Sequence, residues 1–193
     1  MGVLEDGLRH IGVPCVVSGA GISNWINAIH KPKAIMAALT TIATEYVVYA
    51  DSRDALLLKS PEELLDTYLA DFSGYQLVFG ADRVNFPPNR KLRLFEDSLP
   101  GAAESPFKYL NSGMWLGHTS FACSFFQRVL HEHPLPEGPT SDQGLIRQLL
   151  PEFEGSIALD YRCRLFQNIG FLARPILTIH PPICQSTSLA PLG

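Results

Sequence analysis

The sequence is short of charge and carries none of it in blocks. Asp, Glu, Lys and Arg make up only 18% of its 193 residues against 46% hydrophobic. That balance excludes a disordered or coiled-coil chain and fits an α/β protein with buried strands. The net charge is −4 and basic residues never form a dense run, so nucleic acid is not an expected partner. No apolar run reaches the roughly 20 residues that cross a bilayer, and no membrane span is expected. A basic segment followed by an apolar core is missing from the first residues, so no secretory leader is read and a cytoplasmic location is the expectation. Cys15, Cys123, Cys163 and Cys184 are too widely spaced for a paired metal motif; a reducing compartment is the simpler reading, with bridges between them left open. Gly19-Ala20-Gly21 lacks the further glycines and the Lys-Ser/Thr pair that a dinucleotide or P-loop fingerprint requires. The length suits one domain, residues 1–193.

What the chain does have is an apolar run that stops abruptly at two acids. Tyr46–Ala50 is aromatic, β-branched and uncharged, as a central strand covered on both faces should be. Asp51 and Asp54 follow just past its end. In open sheets the loops leaving the strand ends diverge and form the ligand crevice, and two hard oxygen donors on one turn can share a divalent cation. The same residues also suit an ordinary strand-end turn, because Asp and Ser side chains bond nearby backbone groups there.

Around that strand the spacing predicts a helix over residues 1–12 stopped by Gly12, a short strand over 13–18, and a helix opened by Pro32 with Ile35, Met36, Leu39 and Ile42 on one face. Lys31 at the mouth of that helix is a candidate phosphate contact, favoured by the helix dipole, or else a solvated lysine. Ser60-Pro61-Glu62-Glu63 is a capping box with proline at the first helical position. A strand over 76–80 leads into residues 81–106, whose prolines and glycines read as one long irregular loop of the kind that walls a binding site. Further strands are expected at 109–117, 157–159, 165–169 and 175–179, and helices from Ser120 and from Thr140-Ser141-Asp142-Gln143. His180 closes the last strand and is a candidate ligand for the crevice of Asp51.

Four segments in order carry a resemblance: Val47-Val48-Tyr49-Ala50-Asp51-Ser52-Arg53-Asp54, Tyr109-Leu110-Asn111-Ser112-Gly113, Ser141-Asp142-Gln143, and Leu159-Asp160-Tyr161-Arg162-Cys163-Arg164-Leu165-Phe166-Gln167-Asn168. Together they resemble the glycosyltransferase domain of the procollagen lysyl hydroxylases and related GT-A enzymes, over about residues 25–180. The resemblance implies a GT-A-like, Rossmann-like α/β fold with a mixed, mainly parallel sheet flanked by helices and lacking the family's first strand. It implies transfer of a hexose from a UDP-sugar to a hydroxyl acceptor, with manganese or another divalent cation held by Asp51, Asp54 and His180. Asp142 would be the catalytic carboxylate, and Lys31, Ser52, Asn111, Ser112, Gly113 and Gln143 would contact the donor. Three departures stand out: the missing first strand, Pro181-Pro182 after His180, and Arg53 between the acids where the family carries an aromatic residue, together with Ser141, which leaves the single Asp142 where relatives carry several acids. The first two favour the alternative of a nucleotide-sugar-binding module without turnover, and the third bears on the uracil contact and the number of acids.

Overall fold

The computed structural model describes residues 2–134 and 140–170; the strand expected at 175–179 and His180 lie outside them. Four strands, β1 (Tyr46–Ala50), β2 (Leu77–Asp82), β3 (Tyr109–His118) and β4 (Ile157–Asp160), form one sheet in the order β1-β3-β2-β4. Helices α1 (Val3–His10), α2 (Asn27–Leu39), α3 (Pro61–Asp71), α4 (Arg90–Ser98), α5 (Thr119–Val129) and α6 (Asp142–Leu149), with 3-10 turns at Ala102–Glu104 and Leu150–Phe153, complete the regular structure among the described residues.

The architecture is mixed α/β, as expected, but the balance of strand directions is corrected. Among the described residues β3 lies between β1 and β2 and runs antiparallel to both, only β2 and β4 are parallel, and β1, expected as a central strand covered on both faces, stands at the edge of the sheet with Val48 43% exposed. The consequence is functional geometry. Because β3 runs the other way, its entrance, rather than its exit, meets the C-terminal ends of β1 and β2, so Asn111-Ser112-Gly113 and the acids Asp51 and Asp82 share one edge of the sheet.

Alternation along β2 divides the core in two. Leu77, Phe79 and Ala81 face a large cluster with Trp115, Ile35 and Leu39 of α2, Phe125 and Phe126 of α5, and Ile146 and Leu149 of α6. Val78 and Leu116 face the opposite side, against Leu64 and Tyr68 of α3 and Phe166. Gly117 is obligatory here, since a Cβ would fall 2.2 Å from the Gln76 carbonyl oxygen. The capping box opens α3 as expected: Ser60 Oγ accepts from Glu63 N at 3.2 Å and Glu63 accepts from Ser60 N at 2.8 Å.

Several local expectations are overturned. Residues 13–18 form no strand; Val16 and Val17 are 58% and 48% exposed, and the segment is pinned to α2 by Ser18 Oγ donating to the Ala34 carbonyl at 2.8 Å. Pro14 supplies no N–H there, and a strand needs a sheet edge that this run does not reach. Pro32 lies inside α2, which begins at Asn27 because the Ile26 carbonyl accepts from Ile29 N and His30 N. Residues 81–106 are no single loop, since Asn89 Oδ1 accepts from Leu92 N at 3.0 Å and caps α4. Residues 165–169 are not a strand; Asp160 accepts from the backbone N–H groups of Arg164, Leu165 and Phe166 and folds the chain back.

Candidate functional site

The site is built at an irregularity in β3. Phe79 pairs with Trp115 but the next residue, Gly80, pairs with Asn111, so Ser112, Gly113 and Met114 have no partner on the β2 side and the strand bulges there. On the other side Met114 stays in register with Ala50, and Asp51 N donates to the Gly113 carbonyl at 2.8 Å. The bulge thus turns Asn111, Ser112 and Gly113 toward the end of β1.

Three segments converge on it through charge. Lys31 Nζ, on α2, lies 2.9 Å from Asp51 Oδ2 and 3.1 Å from Asp142 Oδ2. Tyr49 donates its hydroxyl to Asp51 Oδ1 at 2.6 Å, and Ser112 Oγ donates to Asp142 Oδ2 at 2.6 Å. Asp142 is the first residue of α6, where the helix dipole favours a negative charge, and Ser141 Oγ caps the helix by accepting from Gly144 N at 3.0 Å. Lys31 and Asp142 are 7% and 4% exposed, whereas the Asp51 side chain is 42% exposed. Burial by itself lowers the pKa of the Lys31 ammonium, but Asp142 and Asp51 together hold it above its ordinary value. Burial, reinforced by Asp51, pushes the Tyr49 phenol far above its ordinary value, so it stays a hydrogen-bond donor.

The neighbours hold these groups in place. Gln143 accepts from Ser112 N at 3.1 Å and donates to the Phe86 carbonyl at 2.6 Å, joining α6, β3 and the loop after β2. Asn111 Oδ1 accepts from Gly113 N at 2.8 Å, and Asp82 Oδ2 accepts from Asn111 Nδ2 at 3.4 Å and from Asn168 Nδ2 at 2.6 Å. A Cβ on Gly113 would stand 2.9 Å from Asn111 Oδ1 and 3.2 Å from Asp51 Oδ2, so only glycine leaves both oxygens where they are.

A cleft of about 190 Å³ opens at this point. Lys31, Asp51, Asn111, Ser112, Gly113, Asp142 and Gln143 all line it, with Asn27, Phe86 and Ser141 completing its wall. Ser52 and Asp54 lie on the adjoining turn and do not line it: the Ser52 carbonyl accepts from Leu4 N at 3.2 Å, and Asp54 is exposed. Lys31 is not at a helix mouth but inside α2, one turn from its start. Tyr49 and Asn168 lie within the resembling segments, which give them no role, and Asp82 lies outside those segments, yet all three are bonded into the site. The period of two along β1, which puts Tyr49 on the face of Asp51, was the available signal.

Carboxylate oxygens of this kind suit a hard divalent cation. Asp51 is engaged once at each oxygen and remains open to solvent, and Asp54 follows on the same turn. Among the described residues no three His, Cys, Asp or Glu side chains gather as a metal site, and the expected third ligand, His180, lies outside them.

The family model of the PLOD GT domain matches residues 20–177, a span that contains every cleft residue named above. Human procollagen-lysine,2-oxoglutarate 5-dioxygenase 1 is 29% identical over 151 residues, which are 75% of this chain and 19% of that protein. The chain therefore spans less than a fifth of the length of that relative. A mixed sheet with Asp51, Asp82 and the Asn-Ser-Gly bulge at one edge, under a family match that runs from before α2 to beyond β4, leads to one conclusion: this chain belongs to the PLOD GT domain family.

Proposed function

We propose that this chain is a glycosyltransferase domain that moves a hexose from a UDP-sugar to a hydroxyl acceptor of the collagen hydroxylysine type. The observation that carries the reading is the convergence of Lys31, Asp51, Asn111, Ser112 and Asp142, drawn from α2, β1, β3 and α6, on one cleft. In this reading Lys31 attracts the donor diphosphate, and Asn111, Ser112 and Gly113 orient the sugar. Asp142, held on one oxygen by Ser112 and Lys31, acts as the carboxylate facing the reacting carbon.

Asp51 and Asp54, with His180, would hold a divalent cation, manganese by resemblance. Such an ion supplies Lewis-acid neutralisation of the charge on the departing diphosphate. Lys31 contributes a second positive charge beside it, already 2.9 Å from Asp51. Charge neutralisation within a partly buried cleft is worth more than in water, because the local dielectric is lower.

Calorimetric titration of the full chain with UDP, with and without manganese, tests the assignment. Wild-type protein should bind UDP more tightly with the metal present, and Asp51→Asn should lose that dependence. UDP binding that is the same in both proteins with and without manganese would sink the metal assignment. Binding without release of UDP from UDP-hexoses would turn the reading to a binding module without turnover, the alternative that Pro181-Pro182 after His180 favours.

A further inference from the structure

Tyr49 is placed with more care than packing requires. Its ring stacks on Trp115, directly opposite in the β1–β3 register, with centroids 5.3 Å apart and planes 12° from parallel. Lys31 Nζ stands 5.7 Å from the centre of the same ring. A phenylalanine would satisfy both contacts. The hydroxyl is the added feature, and it is directed onto Asp51 Oδ1 at 2.6 Å while Lys31 takes Oδ2. Asp51 is therefore held from two sides, one donor on each oxygen, and its carboxylate plane cannot turn without breaking a bond.

We propose that Tyr49 is a positioning residue for the donor-side cation: its hydroxyl, fixed by the Trp115 stack, sets the plane of Asp51 so that the carboxylate's unused lone pairs face the cleft. The inference rests on the proposed metal-dependent donor site. Carboxylates that bind metals are themselves hydrogen-bonded, and losing such a supporting partner typically weakens metal binding by about 10–100-fold. If the hydroxyl were only a satisfied core group, its removal would leave Asp51 Oδ1 to water, since that side chain is 42% exposed, and metal affinity would not change.

The test is a titration of the full chain with manganese(II) in the presence of UDP, read by the loss of the free-ion electron paramagnetic resonance signal. It compares wild type, Tyr49→Phe and Asp51→Asn, with a melting curve for each. The expected result is saturable binding in wild type, an affinity about 10–100-fold weaker in Tyr49→Phe at a melting temperature within a few degrees of wild type, and no saturable binding in Asp51→Asn. Wild-type affinity in Tyr49→Phe, with binding lost in Asp51→Asn, overturns the role of Tyr49 and leaves the site standing. The same is true of a lower melting temperature with unchanged affinity. No saturable binding in wild type, or equal affinity in all three proteins, overturns the metal site and the role of Tyr49 with it.

Discussion

Two charged networks tie this chain together, and they differ in how completely their charges are spent. Glu96 on α4 and Arg147 on α6 are 1% and 0% exposed. Arg147 Nε lies 3.1 Å and 3.0 Å from the two Glu96 oxygens, Nη1 donates to the Pro87 carbonyl at 2.8 Å, and Nη2 donates to Asn85 Oδ1 at 2.7 Å and to Glu96. Glu96 also accepts from Leu110 N at 2.9 Å. Burial raises the Glu96 pKa even against Arg147, the mark of a pair whose desolvation is costly and whose bonds must all be made. The Lys31 network has the same chemistry with one end open, because Asp51 reaches solvent and the cleft. The contrast teaches that a sealed pair fixes architecture, here the 85–87 loop and α6 beneath the site, whereas a pair left open on one side has charge to offer a ligand.

The largest effect expected from breaking that contrast is at the sealed pair. Arg147→Met leaves a buried carboxylate without its cation and should cost about 3–5 kcal/mol of stability, measured by urea denaturation. Adding Glu96→Leu should return most of the loss, because the double variant no longer buries a lone charge. A double variant as unstable as the single one would mean that Arg147 acts through Asn85 and Pro87 rather than through Glu96.

At the open network the loss should be smaller and pH-dependent. Lys31→Met removes charge-assisted bonds to Asp51 and Asp142 and should cost about 2 kcal/mol at neutral pH. The folded-state pKa of Lys31 is raised above 10.5, so its contribution is fully present below pH 10.5 and is lost as pH rises through the higher folded value. The stability gap between wild type and variant should therefore be flat from pH 7 to pH 9 and close only in strong alkali. A gap that closes near neutrality would contradict the paired, protonated lysine.

The smallest effect belongs away from both networks. Ser60→Ala removes the α3 cap and should cost about 1 kcal/mol with UDP affinity unchanged. A change in that affinity would show that the cleft depends on α3 packing.

What the sequence made legible was what depends on neighbours in the chain. The uncharged run Tyr46–Ala50 ending in Asp51, the capping box at Ser60 and the helix start at Asp142 are written within a few residues, and each element forms where the pattern puts it, although the place of β1 at the sheet edge rather than its centre is not written there. Residues 13–18 and 165–169 have strand-like composition, but whether a sheet edge is free beside them is decided elsewhere in the chain. The direction of β3 and its bulge are equally non-local, since they depend on pairing with β1 and β2 at once. Lys31 shows the limit most plainly: its sequence position suggests a helix mouth, while its partners Asp51 and Asp142 lie on β1 and α6.

In the proposed function a UDP-hexose is turned over in the cleft of Lys31, Asp51, Ser112 and Asp142. The most direct test is the rate of UDP release from UDP-hexoses by the full chain in the presence of manganese and a hydroxylysine-containing acceptor peptide, compared between wild type and Asp142→Asn. Wild type should release UDP, and the variant should lose about 10²-fold or more of that rate with the fold intact by circular dichroism. Equal rates in the two proteins would contradict the proposed function.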